Sequence, residues 1–497
     1  MQGPGRTASS ASRTFAVIDI GSNSVRLVVF DATAHAPLTL FNEKAVCALG
    51  KGVPLTKRLN PEGVRHALMT LERYVTLARA MKVETLDLLA TAAIREAEDG
   101  PAFVAEVQKR LGVRVTVLVG AEESQLAAFG LVSCLPEADG LMGDLGGGSL
   151  DLVTIDQGRC GKDASLPLGL LWLDEAGGND IQKARRIVES SIGELAWIDE
   201  VAKRAFFPVG GAWRALAGVA IDQSAHALRV LDNFTMSATD CASLCRLIAG
   251  LGPKSLEKMP SVSCRRLHAL PLAAVILDVI LQMGRPERVV FSAYGMREGQ
   301  FFRRLQPPSG TDPMLNACAA LGRRNPRFAP VGEQVAKWIE PLFGNDLRRR
   351  ARLRTAACHL SDIAWTEHPD IRAHLAFERI IHMPIPGLTH ADRGLLAAIV
   401  AFRYSQTLPA DRPFATLVSE DDMLWARQVG ASIRLAFTLS GGVAEHLRPV
   451  TIVMADTTID LVIPDGEHAV YAGDTVERRL GTLARLFDRG PRVLTGT

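Results

Sequence analysis

The sequence predicts an α/β protein: two copies of one α/β domain around a cleft, then a mostly helical third domain. Three observations predict it. A strand–turn–strand pattern recurs without a gap, Asp19 matching Asp144 at an offset of 144 − 19 = 125 residues. Apolar strand-like runs alternate with helical patterns through both copies, as layered α/β architectures require. Beyond about Leu305 that alternation gives way to long helical patterns.

The first copy opens on an apolar run, Phe15 to Ile20, a polar turn, and a second run, Val25 to Phe30. Asn60-Pro61 then offers an N-cap with proline at the first helical position, so a helix is expected over Pro61 to Lys82. Strands are expected over Leu86 to Ala90 and Val113 to Val119, with helices over Pro101 to Leu111 and Glu122 to Leu131. At Gly140 the pattern restarts, with strands Leu141 to Leu145 and Leu150 to Ile155 around Gly146-Gly147-Gly148-Ser149. Gly21 matches Gly146, Ser24 matches Ser149, and Leu27, Val28 and Asp31 match Leu152, Val153 and Asp156. A repeat this long means a duplicated domain; solenoid periods are nearer 20–50 residues. The second copy continues through a helix over Asn179 to Lys203, the turn Val209-Gly210-Gly211-Ala212, a helix over Pro271 to Met283 and a strand over Arg288 to Phe291. Gln306-Pro307-Pro308-Ser309-Gly310 has linker composition. Short strands are expected near Val450 to Met454 and Thr458 to Ile463. The organisation is therefore an unstructured lead, 1–13; a first α/β domain, 14–134; a second, 135–304; and a helical domain, 305–497.

Composition narrows the function. Of 497 residues, 47% are hydrophobic and 22% charged, an ordinary globular balance. The net charge is only +2, so attraction for a polyanion must come from local arginine clusters. Eight cysteines form no paired CxxC framework; Cys241 and Cys245 stand as an isolated CxxxC, and reduced thiols in a cytoplasmic protein are expected. No apolar run approaches the roughly 20 residues that span a bilayer, so no membrane partner is expected. Without a Gly-x-x-x-x-Gly-Lys-Ser/Thr motif, a P-loop enzyme is not supported.

Glycine and serine at a hairpin tip let backbone N–H groups approach a ligand and form an anion nest. Two such tips facing one another would grip a phosphate chain from both sides. An Asp beside each nest can hold a cation that offsets phosphate charge. One hairpin alone is an ordinary tight turn; two in register, each Asp-x-Gly-x-x-Ser, point to phosphate. Glu122 and Glu123 read equally well as reactive carboxylates or as favourable negative charges in a helix's first turn.

The chain resembles the exopolyphosphatase and guanosine pentaphosphate phosphohydrolase (Ppx/GppA) family, within the actin, sugar kinase and heat-shock ATPase superfamily. The resemblance rests on Val17-Ile18-Asp19-Ile20-Gly21-Ser22-Asn23-Ser24, Ala90-Thr91-Ala92-Ala93-Ile94-Arg95-Glu96-Ala97, Gly120-Ala121-Glu122-Glu123-Ser124, Gly143-Asp144-Leu145-Gly146-Gly147-Gly148-Ser149-Leu150-Asp151, Ser165-Leu166-Pro167-Leu168-Gly169 and Gly295-Met296-Arg297-Glu298-Gly299. It implies two actin-like (ribonuclease H-like) domains. It implies Glu123 as general base toward a water, with substrate phosphates bound by Gly21, Ser22, Asn23, Ser24, Arg95, Gly146, Gly147, Gly148, Ser149, Gly210, Gly211 and Arg297. It implies Mg²⁺ (or another divalent cation) at Asp144 and Asp151. The family's usual Glu at the latter position is one methylene longer, which opens a water-mediated role for Asp151. After Gly210-Gly211 the usual Thr is Ala212, and Trp213-Arg214 depart from the pattern, which weakens a nucleoside pocket there.

The resemblance implies a processive exopolyphosphatase in the cytoplasm, a homodimer acting on inorganic polyphosphate, with (p)ppGpp as ligand or inhibitor and no nucleic-acid partner. Its alternatives are a guanosine pentaphosphate 5′-phosphohydrolase, an actin-fold kinase, which the motifs at Arg95 and Glu122-Glu123 oppose, and a non-enzymatic alarmone sensor. The C-terminal part resembles an HD-like helical domain around His359, Asp362, His368 and His374. A working HD site needs adjacent His-Asp, whereas Leu360 follows His359 and Ser405 stands at the late His position; a degenerate platform is expected. Arg348-Arg349-Arg350-Ala351-Arg352-Leu353-Arg354 reads either as a solvated or dimer-contact helix face or as a track for a long polyanion.

Overall fold

A computed structural model describes residues 13–178, 180–263, 266–306, 310–324, 327–408 and 413–496. The expected lead falls almost wholly outside them, as do residues 307–309 of the expected linker. The chain divides into two compact units, Met1–Thr311 and Asp312–Thr497.

The first unit holds two sheets. Strands β1 (Thr14–Ile20), β2 (Ser24–Asp31), β3 (Thr39–Val46), β4 (Thr85–Ala90) and β5 (Val115–Val117) form one, in the order β3-β2-β1-β4-β5. Strands β6 (Gly140–Leu145), β7 (Leu150–Asp156), β8 (Arg159–Leu166), β9 (Ala205–Val209), β10 (Thr235–Ser237) and β11 (Arg288–Val290) form the other, in the order β10-β11-β9-β6-β7-β8. Read as β8-β7-β6-β9-β11, the second sheet repeats the first strand for strand. Each has an antiparallel three-strand meander on one side of its first strand and parallel partners on the other. The hairpin repeat is thus the visible edge of a duplicated domain.

Two helices cross between the sheets, Gly120–Cys134 and Met296–Leu305. Their backbones touch. A Cβ on Gly130 would sit 2.0 Å from the Gly295 carbonyl oxygen, and one on Gly299 would sit 1.9 Å from that of Leu126. Leu126, Leu131, Phe301 and Phe302 join Phe15, Val17, Met142 and Phe207 in one core cluster fed by both sheets. Gln300 and Arg304 bind Asp87 of β4, and the Gly52 N–H donates to Glu175 Oε1 at 2.8 Å, a further tie between the copies.

The expected helix from Asn179 to Lys203 is shorter. It spans Ile181–Gly193, with a 3-10 turn over Ile198–Val201; Asn179 lies outside the described residues. The Asp180 carboxylate starts it by accepting from the Gln182 and Lys183 N–H groups.

The second unit is mostly helical, with a small sheet of β12 (Thr451–Met454), β13 (Thr458–Ile463) and β14 (Gly490–Thr495) in that order. The arginine run lies on the helix Arg348–Leu360, with Arg348 and Arg349 exposed and four of the five arginines engaged by carboxylates of their own unit. Arg349 binds Asp392 at 2.7 Å and Asp422 at 3.3 Å, Arg350 binds Asp421 and Asp422, Arg352 binds Asp312, and buried Arg354 binds Asp346 at 3.1 Å. The run clamps its own unit together. Asp362 is held by Arg327 at 2.9 Å and by Arg403 at 3.1 Å, with the Trp365 ring against both guanidiniums. Seven cysteines lie among the described residues, all free thiols. No described helix is long and apolar enough to cross a membrane.

Candidate active site

Both hairpins close in the same way: Gly21 N–H donates to Ser24 O, and Gly146 N–H to Ser149 O, each at 3.0 Å. The remaining tip carbonyls are tied back. Ser22 O accepts from Gly50, Asn23 O from Cys47 and Ala48, and Gly146 O, Gly147 O and Gly148 O from Leu170, Leu171 and Gly169. With their carbonyls engaged, the N–H groups of Ser22, Asn23, Gly147, Gly148 and Ser149 meet no acceptor among the described residues. That is the condition for an anion nest. The tips also touch. A Cβ on Gly148 would lie 2.8 Å from both Ala92 Cβ and Ser22 Oγ, and one on Gly147 would lie 3.2 Å from Ser22 Cβ. The duplicated tips therefore face each other across one cleft.

Strand register then gives the two walls opposite chemistry. In the first sheet Asp19 of β1 pairs with Arg26 of β2, which pairs with Lys44 of β3. In the second sheet the matching row is Asp144, Asp151 and Ser165. Laterally paired residues share a face, so one wall presents Asp-Arg-Lys and the other Asp-Asp-Ser. The offset of 125 makes Arg26 the counterpart of Asp151. One duplicated fold has been differentiated into a basic and an acidic wall.

The two glutamates at the start of the helix Gly120–Cys134 separate. Glu122 is exposed, and its Oε2 accepts from the Val119 N–H at 3.2 Å, capping the helix. Glu123 turns inward, and Arg95 Nη1 donates to its Oε2 at 2.9 Å and to Leu118 O at 2.8 Å. Gly120 leaves room for this pair: a Cβ there would lie 3.0 Å from Ser165 Cβ and 4.0 Å from Arg95 Nη2. The helix Met296–Leu305 repeats the device. Glu298 Oε2 caps it through the Gly295 N–H at 2.9 Å, and Arg297 points into the cleft, its Nη1 on Asp19 Oδ2 at 3.2 Å. The crossing of the two helices thus sets Glu123 and Arg297 relative to each other.

Three carboxylates crowd the acidic wall. Burial pushes Glu123 well above the ordinary carboxylate range, the charges of Asp151 and Asp144 push it further, and Arg95 opposes them without prevailing. Asp151 is raised by burial and by Asp144, against the pull of the Ser165 and Ser149 hydroxyls. Asp144 is held at about 6 by burial, with Arg214 and Arg297 pulling it down and Asp19 pushing it up. Asp151 is 3% exposed; its Oδ2 accepts from Ser149 Oγ at 3.1 Å, but its Oδ1 has no hydrogen-bond partner. An orphaned carboxylate oxygen among mutually repelling carboxylates fits a cation-binding role. Among the described residues no three His, Cys, Asp or Glu side chains converge closely enough to cage a metal. Asp144 and Asp151 would hold a cation that completes its shell with water and substrate oxygens, the manner Mg²⁺ favours.

On the basic side the structure adds Arg26, Lys44 and Arg266, none of which lies in a matched motif, and brings Arg214 to join them. Burial, then Arg266, Arg26, Arg214 and Arg297, pull Lys44 down to about 8. Burial, then Arg297 and Arg26, pull Arg214 to about 10. The 125-residue repeat already marks Arg26, and strand alternation marks Lys44. Gly210, at φ +111°, caps the helix Gly211–Gln223; a Cβ there would lie 2.5 Å from Leu145 O and 3.3 Å from Asp144 Oδ1. A Cβ on Gly211 would lie 3.4 Å from Arg266 Nη2. Trp213 is fully buried against Phe206, and its Nε1 donates to Ala273 O at 2.9 Å. Its ring belongs to the core and offers no stacking face to a base, while Arg214 keeps its guanidinium beside Arg297 and Asp144.

Comparison with known proteins bears on the family and the fold. The Ppx/GppA phosphatase family model matches residues 28–307, and the model described as exopolyphosphatase, C-terminal, matches residues 331–493. Among solved structures, a Ppx/GppA family member from Aquifex aeolicus aligns with TM-score 0.52 at 23% identity, covering 60% of this chain and 99% of its own. An exopolyphosphatase from Cytophaga hutchinsonii aligns with TM-score 0.54 at 20% identity, covering 59% and 98% respectively. At these identities the structural likeness speaks for the fold: two actin-like halves.

Proposed function

The chain belongs to the Ppx/GppA phosphatase family, and from that membership and the differentiated walls of its cleft we propose that it is an exopolyphosphatase. The substrate is the end of an inorganic polyphosphate chain. The tips at Ser22-Asn23 and Gly147-Gly148-Ser149 take the terminal phosphates through backbone N–H groups, with Arg95 and Arg297 supplying planar forks for their oxygens. Asp144 and Asp151 would hold a Mg²⁺ ion, which would supply charge neutralisation at the scissile end.

Glu123 is the general base. It accepts a proton from a water whose oxygen attacks the terminal phosphorus. The bridging P–O bond breaks, orthophosphate leaves, and the remaining chain is one unit shorter. A base raised toward neutrality suits this step better than an ordinary carboxylate. Arg95 holds Glu123 in place before substrate arrives, and phosphate oxygens compete for the same guanidinium once it does.

The observation that carries polyphosphate over a nucleoside substrate is the basic row itself. Arg26, Lys44 and Arg214 share one charge cluster with Arg297, Arg266 stands beside Lys44, and the Trp213 ring is buried in the core instead of being offered to a base. The C-terminal match to an exopolyphosphatase domain supports the same choice. Orthophosphate release from long-chain polyphosphate and from guanosine pentaphosphate, measured side by side with and without Mg²⁺, tests it. Faster Mg²⁺-dependent release from polyphosphate is expected; preference for the pentaphosphate overturns the assignment.

A further inference from the structure

Many arginines of the second unit are paired with carboxylates. Arg327 and Arg403 share Asp362, Arg349 and Arg350 share Asp422, and Arg354 and Arg492 have Asp346 and Asp460. Five that are not paired in this way gather around one concavity. A cavity of about 640 Å³ is lined by Arg427 and Arg434 of the helix Glu420–Ser440, by Arg478, Arg479 and Arg485 of the helix Asp474–Leu486, and by Tyr404. No Asp or Glu lines it, and none of the five arginines has a carboxylate within ion-pair distance among the described residues.

Their placement is regular. Arg427 and Arg434 are seven residues apart, as are Arg478 and Arg485, so each pair projects from one helix face. Arg479 is fixed from behind, its Nη1 donating to Thr438 Oγ1 and to Arg434 O. Burial, then Arg434, Arg403 and Arg478, depress Arg479 to about 10, and burial with Arg478 depresses Arg434. Clustering five unpaired guanidiniums costs free energy that a solvated face would avoid by spreading them. Like-charge crowding around a concavity is relieved by an anion of matching charge.

We propose that this cavity is a second binding site, separate from the hairpin cleft, for a compact anion bearing an oligophosphate tail of three or more phosphates. The cavity falls in the size range of small-molecule sites. Guanidinium forks match phosphate oxygens bidentately, and five of them exceed what one carboxylate or one orthophosphate would neutralise. The tail is common to inorganic tripolyphosphate and to nucleoside triphosphates, and the two are separable by experiment.

Equilibrium dialysis of the full-length Glu123→Gln protein, in which turnover is slowed, against tripolyphosphate and separately against ATP tests the site. The comparison is with the same chain also carrying Arg434→Gln and Arg478→Gln, or Arg427→Gln and Arg485→Gln. One bound equivalent per chain is expected to weaken about ten- to hundredfold in both pairs of substitutions, the loss expected of charge-assisted contacts. Any equivalent bound at the hairpins stays. Tighter ATP than tripolyphosphate assigns the site to a nucleotide, and the reverse order to inorganic oligophosphate; either supports it. Because Arg427 and Arg485 are exposed, their replacement leaves folding intact. Unchanged stoichiometry and affinity in that variant overturn the proposal, whatever the hairpin cleft binds.

Discussion

At the scale of single residues the cleft is a set of opposed charges whose roles follow from their neighbours. Glu122 and Glu123 are alike in sequence, and nothing local separates them. The helix start does so, spending one on its own N–H group and turning the other toward Arg95. Arg26 is legible in the sequence, because the repeat aligns it with Asp151, whereas Lys44 lies on an exposed edge strand outside every matched motif. The raised Glu123 carboxyl sets the pH dependence. Activity needs its ionised form, so kcat/KM falls as pH drops through a value well above the ordinary carboxylate range. After burial, the charge of Asp151 is the largest effect raising Glu123. Asp151→Asn is therefore expected to move the acid limb to lower pH, even as it weakens the response to Mg²⁺. A pH–rate profile reads this directly; a limb that stays in place means the two carboxylates are not in electrical contact.

At the scale of elements, the parts with strong local patterns were readable and the edges were not. The paired hairpins announce themselves because β1, β2, β6 and β7 are apolar runs around glycine turns. Strands β3 and β8, Thr39–Val46 and Arg159–Leu166, were not anticipated. They lie at sheet edges, are largely exposed, and carry no apolar run to betray them. The crossing of Gly120–Cys134 with Met296–Leu305 was equally invisible, since it depends on glycines more than 160 residues apart coming into backbone contact. Gly130→Ala tests what that contact does. Its Cβ would strike the Gly295 carbonyl, so overpacking is expected to cost about 1–3 kcal/mol. Activity is expected to fall more than stability, because the same shift moves Glu123 away from Arg297. Thermal unfolding and turnover on one preparation separate the two, and an unchanged enzyme would mean the crossing does not position the site.

At the scale of the whole molecule, the cleft belongs entirely to one unit. Every carboxylate and cation placed in it lies within Met1–Thr311. The solved relatives match over nearly their full length while covering about three-fifths of this chain, 59–60%. A chain ending at Thr311 is therefore expected to fold and to hydrolyse short polyphosphate; a folded but inactive fragment would place an essential group in the second unit. In that second unit the carboxylate partners of the arginine run are invisible in the sequence, because Asp392 and Asp422 lie far along the chain and only the fold brings them near. If the two hairpins hold phosphate while Glu123 activates water between them, binding and turnover must separate. Measured on the full-length protein, Glu123→Gln is expected to bind polyphosphate nearly as wild type does and to release orthophosphate roughly 10²–10⁴ times more slowly. A folded Glu123→Gln protein that turns over at the wild-type rate would contradict it.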